Sequence, residues 1–243
     1  MSLRPYRPVL IGILLVMPLS ARADEGLNTG TWTYRVEALS GFPLQVGLGA
    51  QLEGPRGFRL HSSIGFLPSS YLDSIHAIAE GAEWYGPTTA QLISAALEDS
   101  VVWRTQAAWR PFAGSGFYFG GGYTLTALGG GLTGTELLTA VTGKTIPSAA
   151  NMRQSLNVNA AAHMLDVELG WEWFLMGKLV LRAGLAGIFT VASQTEISSS
   201  REIPRRFEPA VDELMRAGED YLDDTLQSYI HTAVLIVSVG WQF

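Results

Sequence analysis

The chain has 243 residues, no cysteine, 27 glycines and 7 tryptophans, with 16 basic and 22 acidic side chains for a formal charge of −6. Charged residues are only 16% and hydrophobic ones 47%, with positive mean hydropathy, which excludes a disordered chain. The acidic balance argues against nucleic-acid binding, which needs a basic face. The missing cysteines exclude a disulfide framework, a thiolate zinc site and a cysteine nucleophile.

The first element is an address. Arg4 and Arg7 give a positive start, Val9 to Leu19 is apolar, and Ala21-Arg22-Ala23 offers a small-x-small cleavage site. A membrane helix needs about 20 apolar residues, and Pro18 interrupts this run. Residues 1–23 are therefore expected to be a secretory signal peptide, with a barrel domain over 24–243. Removal takes three arginines and no acid, shifting the formal charge from −6 to −9. With no cysteine to lipidate, no lipid anchor is expected.

Period-two alternation then predicts eight long strands. They fall near 31–40 (Trp32, Tyr34, Val36 and Ala38 outward), 43–53 (Leu44, Val46, Leu48, Ala50, Leu52) and 58–67 (Phe58, Leu60, Ile64, Phe66). The next are near 100–110 (Val101, Trp103, Ala107, Trp109), 117–127 (Phe117, Phe119, Tyr123, Leu125) and 156–174 (Leu165, Val167, Leu169, Trp171, Trp173). The last two are near 179–193 (Leu179, Leu181, Leu185, Phe189, Val191) and 229–243. Short turns are read at Ser40–Phe42, Gly54–Gly57, Pro111–Gly116 and Met176–Lys178, and long connections at 68–99, 128–155 and 194–228. Ten strands remain open, because part of 128–155 could pair.

Length decides between a soluble strand and a spanning one. Tyr229 to Trp241 is twelve steps of about 3.3 Å. Tilted by about 45°, that reaches roughly 28 Å, against an apolar band of about 25 Å in a membrane barrel. Tyr229 and Trp241 would lie at its two aromatic girdles.

The ending Leu235-x-Val237-x-Val239-x-Trp241-x-Phe243 resembles the C-terminal signature of Gram-negative outer-membrane β-barrels, as in the small OmpA- and OmpW-like families. The resemblance implies an all-β, eight-stranded antiparallel transmembrane barrel in the bacterial outer membrane. It also implies recognition of those five residues by the barrel assembly machinery, and contact with outer-membrane lipid and lipopolysaccharide. No peptidoglycan-binding domain is expected after the barrel.

The opposite strand faces carry charge. Arg35, Glu37, Gln45, Gln51, Glu53, Arg59, His61, Arg104, Gln106, Arg110, Asp166, Glu168, Glu172 and Arg182 are expected to point into the lumen. An eight-stranded barrel is just wide enough for side chains to fill, and unpaired buried charges are costly. Pairing across the lumen is thus expected, with interior glycines such as Gly47, Gly49, Gly120, Gly122 and Gly184 making room.

The long connections carry helical spacing at Tyr71–Tyr85, Thr89–Asp99, Thr135–Val141 and Pro209–Leu226. In the last, Val211, Leu214, Met215, Leu222 and Leu226 share one side. These helices are expected to cap the mouth, to dock an envelope partner or to lie at the outer leaflet. Arg201, Arg205 and Arg206 could meet lipopolysaccharide phosphates, and Glu219, Asp220, Asp223 and Asp224 read as a solvated face. His61, His76, His163 and His231 form no recognisable triad, and no G-x-S-x-G, P-loop or H-E-x-x-H motif occurs. No enzymatic activity, metal or cofactor is expected. The expected role is a surface-exposed structural or partner-binding barrel; the alternative is a narrow diffusion channel, and a lipid-modifying enzyme comes third.

Overall fold

The computed structural model describes residues 32–71, 100–112, 115–133, 155–199, 208–229 and 231–243. Eight antiparallel strands close in chain order: β1 (Thr33–Phe42), β2 (Gln45–Glu53), β3 (Phe58–Phe66), β4 (Val101–Trp109), β5 (Phe117–Thr133), β6 (Ser155–Leu175), β7 (Leu179–Ser199) and β8 (His231–Gln242), which pairs back onto β1. Helix α1 (Glu208–Tyr229) lies between β7 and β8. The signal peptide, the helices expected over Tyr71–Tyr85 (Tyr71 itself apart), Thr89–Asp99 and Thr135–Val141, the residue His76 and the three arginines at 201, 205 and 206 lie outside the described residues.

Every strand alternates because its two faces meet different solvents. Val36, Leu48, Ile64, Leu165, Leu185 and Val237 are outward and about half exposed, while their strand neighbours Glu37, Ser63, Asp166, Ala186 and Ser238 are buried. A soluble protein rarely exposes a continuous belt of this size. On β7 the belt runs from Leu181 to Val191. Ten steps of about 3.3 Å at a tilt of about 40° give roughly 25 Å, the height a bilayer covers. Aromatic rings gather at the short-turn end. Trp109 meets Phe119 edge-on at 5.8 Å, and Phe117 lies 5.7 Å from Trp171. Both chain ends of the barrel lie there too, with Phe243 N–H donating to Tyr34 O at 2.8 Å.

Several sequence boundaries are corrected. The first turn is Pro43–Leu44 rather than Ser40–Phe42, since β1 continues to Phe42 and β2 starts at Gln45. The 128–155 segment supplies no further strand among the described residues; instead β5 runs to Thr133 and β6 begins at Ser155. Likewise β7 runs through 194–199, where the sequence pattern predicts a loop. Tyr229 ends α1 and is no girdle residue of β8.

The extension of β7 hides behind a change of phase. Opposite β6, His163 faces Ala192 but Met164 faces Thr190, leaving Val191 as a bulge. Val191 and Ala192 are therefore both exposed, and alternation restarts one residue out of step. Pairing to β4 stops at Val101↔Ala127, and pairing to β8 stops at Phe189↔His231. Beyond those levels β5, β6 and β7 rise as a three-stranded extension. Its outer face is polar, with Asn157, Asn159, Gln194 and Glu196 exposed.

Close strand approach dictates Gly47. A Cβ there would lie 2.6 Å from Gly65 Cα and 2.8 Å from the Ile64 carbonyl carbon, both backbone atoms. Gly47→Ala is expected to cost about 1–3 kcal/mol through overpacking, measured as a lowered urea midpoint of the refolded barrel.

Candidate functional site

The lumen is built in layers, starting at the short-turn end. Glu172 of β6 is fully buried and gathers three guanidinium groups: Arg35 Nη2 donates to its Oε1 at 2.8 Å, and Arg59 Nη2 and Arg110 Nη2 donate to its Oε2 at 2.7 and 2.6 Å. Glu53 flanks them, 3.3 Å from Arg59 Nε and 3.5 Å from Arg110 Nη1. Flat groups complete the layer, with Arg59 over the Tyr118 ring at 5.0 Å and Arg110 over the Phe174 ring at 5.3 Å.

Glu37 centres the next layer. Arg182 Nη2 donates to its Oε1 at 2.5 Å, Ser238 Oγ donates to its Oε2 at 3.1 Å, and His61 Nε2 lies 2.8 Å from Oε1. Arg35 Nε is 3.8 Å from Oε2 and links this layer to the first. Beside it the Tyr118 hydroxyl donates to Glu168 Oε1 at 2.5 Å. The Tyr118 ring occupies the space that a Cβ at Gly170 would take, and a Cβ at Gly184 would lie 2.9 Å from Glu168 Oε1.

In the third layer Arg104 Nη2 donates to Asp166 Oδ1 at 2.7 Å and lies 3.1 Å from Glu168 Oε2. Gln106 Nε2 donates to both carboxylates at 2.6 and 2.9 Å, and Thr124 donates to Asp166 Oδ2 at 3.1 Å. The ionised set is thus five arginines (35, 59, 104, 110, 182) against five carboxylates (37, 53, 166, 168, 172). Sequence inspection missed Tyr118, Thr124 and Ser238 as members. Their even positions, between outward 117 and 119, 123 and 125, and 237 and 239, carried the signal.

Above the ions the lumen turns apolar. Ala162, Met164, Ala186, Ile188, Val234 and Ile236 pack into one cluster with Leu44, and Leu39 and Val102 are buried as well. An ion entering from the long-connection end would meet this layer, whose buried polar groups among the described residues, Thr126, Thr190 and the hydrogen-bonded Gln45 and Ser63, carry no charge.

Helix α1 packs against the inner face of the three-stranded extension. Leu222 packs on Leu156, Val158 and Ile197, and Leu226 packs on Leu128 and Ala160, the inner face of the extension. Leu214, Met215 and Tyr221 join them half-buried. The acidic residues of this helix divide. Glu219 accepts from Ile197 N–H at 2.9 Å, and Asp223 accepts from Thr195 Oγ1 at 2.7 Å, while Asp220 and Asp224 are exposed. The reading of all four as a solvated face therefore holds only for Asp220 and Asp224. A backbone donor of β7 would lack a strand partner beyond β8, and Glu219 satisfies one such donor.

The C-terminal residues Leu235, Val237, Val239, Trp241 and Phe243 all point outward from β8. His163 also points outward, with its Nδ1 2.5 Å from the Tyr123 hydroxyl. Among the described residues no group of three or more His, Cys, Asp or Glu side chains is arranged to hold a metal ion.

No family model matches the sequence, and no curated protein matches it. Solved structures with a similar chain course include the N-terminal β-barrel domain of Pseudomonas aeruginosa OprF (9% identity, 87% of this chain and 97% of that chain, TM-score 0.43). A major outer membrane protein from Thermus thermophilus is similar at 13% identity over 88% of this chain and all of that one, with TM-score 0.45. Acinetobacter baumannii CarO is similar at 11% identity over 87% and 97%, with TM-score 0.36.

Proposed function

We propose that this chain is a closed barrel of the bacterial outer membrane. Its working surface is the extension of β5–β7 with α1, used for structure or for docking an envelope partner. The observation that carries this reading is the filled lumen, in which five arginines and five carboxylates neutralise one another beneath an apolar layer and a packed helix. The apolar belt supports the membrane placement. The outward row Leu235, Val237, Val239, Trp241 and Phe243 is proposed as the segment that the barrel assembly machinery binds before the barrel closes, while β8 is not yet paired to β7 and β1. Outer-membrane lipid covers the belt, and lipopolysaccharide surrounds the extension.

Refolded residues 24–243 in a planar bilayer are expected to give no steady conductance at physiological salt. Reproducible single-channel steps would overturn the closed-lumen reading in favour of a narrow diffusion channel.

A further inference from the structure

We propose that the outer face of the three-stranded extension binds the sugar headgroup of an outer-leaflet glycolipid, through hydroxyl contacts rather than through phosphate. The inference rests on the outer-membrane placement and names what the membrane offers at this height. Strand register lays out the site. Across β5, β6 and β7 three outward rows follow one another: Leu125, His163 and Ala192; then Ala127, Ala161 and Gln194; then Gly129, Asn159 and Glu196. Ala127 and Ala161 form a low floor, and His163, Gln194 and Asn159 stand around it. Neighbouring strands lie about 4.8 Å apart, and Asn159 and His163 are separated by four steps of about 3.3 Å, which leaves a shallow dish with room for a pyranose ring. A Cβ at Gly129 would meet nothing within 4 Å, so the dish is open on the β5 side. Asn159, Gln194 and Glu196 are exposed, and the His163 ring is held with its Nδ1 2.5 Å from the Tyr123 hydroxyl.

Continuity with the belt assigns the occupant. The belt on β7 ends at Val191, and Ala192 of the first row follows directly. A lipid whose chains cover Leu165 and Phe189 therefore carries its headgroup at the height of the dish. Side-chain chemistry assigns the headgroup. The strand segments 127–133, 155–163 and 190–199 contain no lysine or arginine, and Glu196 adds a negative charge. A phosphate would find no cation here and one like charge. Sugar hydroxyls both donate and accept, which matches the two amides and the carboxylate, and the alanine floor suits the C–H face of the ring.

The test uses the mature barrel, residues 24–243, reconstituted in phosphatidylcholine with equal minor fractions of glucosyl-diacylglycerol and phosphatidylglycerol. Lipids that stay bound in detergent are counted by native mass spectrometry. Expected is an enrichment of the glycolipid over phosphatidylcholine of about fivefold, the worth of one net hydrogen bond. The double variant Asn159→Ala/Gln194→Ala and the floor-filling Ala161→Phe are each expected to abolish it, with folding checked by heat-dependent gel migration. Met176→Ala, in the exposed turn at the other end of the barrel, is expected to keep it. Bound lipid without enrichment, enrichment of phosphatidylglycerol above the glycolipid, or enrichment surviving in the folded double variant would each overturn the proposal alone. A barrel that retains no lipid at all would overturn the membrane placement and the proposal with it.

Discussion

Glu172→Gln is expected to remove about 3–5 kcal/mol of barrel stability, the size of effect seen when one partner of a buried ionic group is deleted. The change is nearly isosteric, so it leaves packing intact and isolates the charge. Three arginines converge on this carboxylate, Arg35 from β1, Arg59 from β3 and Arg110 from the residue after β4. Glutamine offers them one acceptor oxygen and turns an amide donor toward them. Glu53 is the remaining counter-ion of Arg59 and Arg110, at 3.3 and 3.5 Å, and Arg35 keeps only a 3.8 Å approach to Glu37. The measurement is the urea midpoint of the refolded barrel, with heat-dependent gel migration as a second reading. A double variant that also carries Arg110→Met removes one stranded charge and is expected to recover part of the loss, giving a non-additive cycle. A loss below about 0.5 kcal/mol, the range of ordinary surface substitutions, would mean that the ion cluster does not hold the lumen together.

The barrel was legible because the two faces of each strand meet opposite environments. Arg35-x-Glu37, Arg104-x-Gln106 and Asp166-x-Glu168 fall on one face by period two alone, and closure then turns that face inward. Which charges meet across the lumen was not legible. Arg35 and Glu172 are separated by 137 positions, and their encounter depends on stagger and side-chain reach rather than on any local pattern. Two boundaries failed for local reasons. The glycine run 129–131 reads as a loop, yet its backbone pairs fully with 157–159 in β6. At Val191 the bulge inverts the phase, so Gln194 and Glu196 look like the start of a polar loop although they form the outer face of a strand. The helix at Pro209–Leu226 was readable from its stripe. Its destination was not, because the stripe says only that Leu222 and Leu226 need cover.

Three arginine substitutions on the outer strand face separate the belt from the extension. Val237 lies mid-strand on β8, four residues above Trp241 and four below Ala233, and is outward and half exposed. Gln194 is also outward and exposed on a strand, but above the bulge. In a soluble barrel both changes would be mild, since arginine on a solvated strand face costs little. In a bilayer the charge of Val237→Arg sits inside the apolar belt, opposite Ala183, and is expected to cost about 2 kcal/mol, while one near the interface costs only about 0–1 kcal/mol. Val191→Arg belongs to that second group, and Gln194→Arg is expected to change stability by less than about 0.5 kcal/mol. Folding free energies into lipid vesicles, measured by urea titration, give all three values. A graded series Val237, Val191, Gln194 places the outer membrane boundary at the bulge. It also leaves the β5–β7 extension and α1 in water, where the polar row Asn157, Asn159, Gln194 and Glu196 can meet a partner. Equal costs at the three sites would remove the boundary, and with it the argument that the extension stands clear of the lipid.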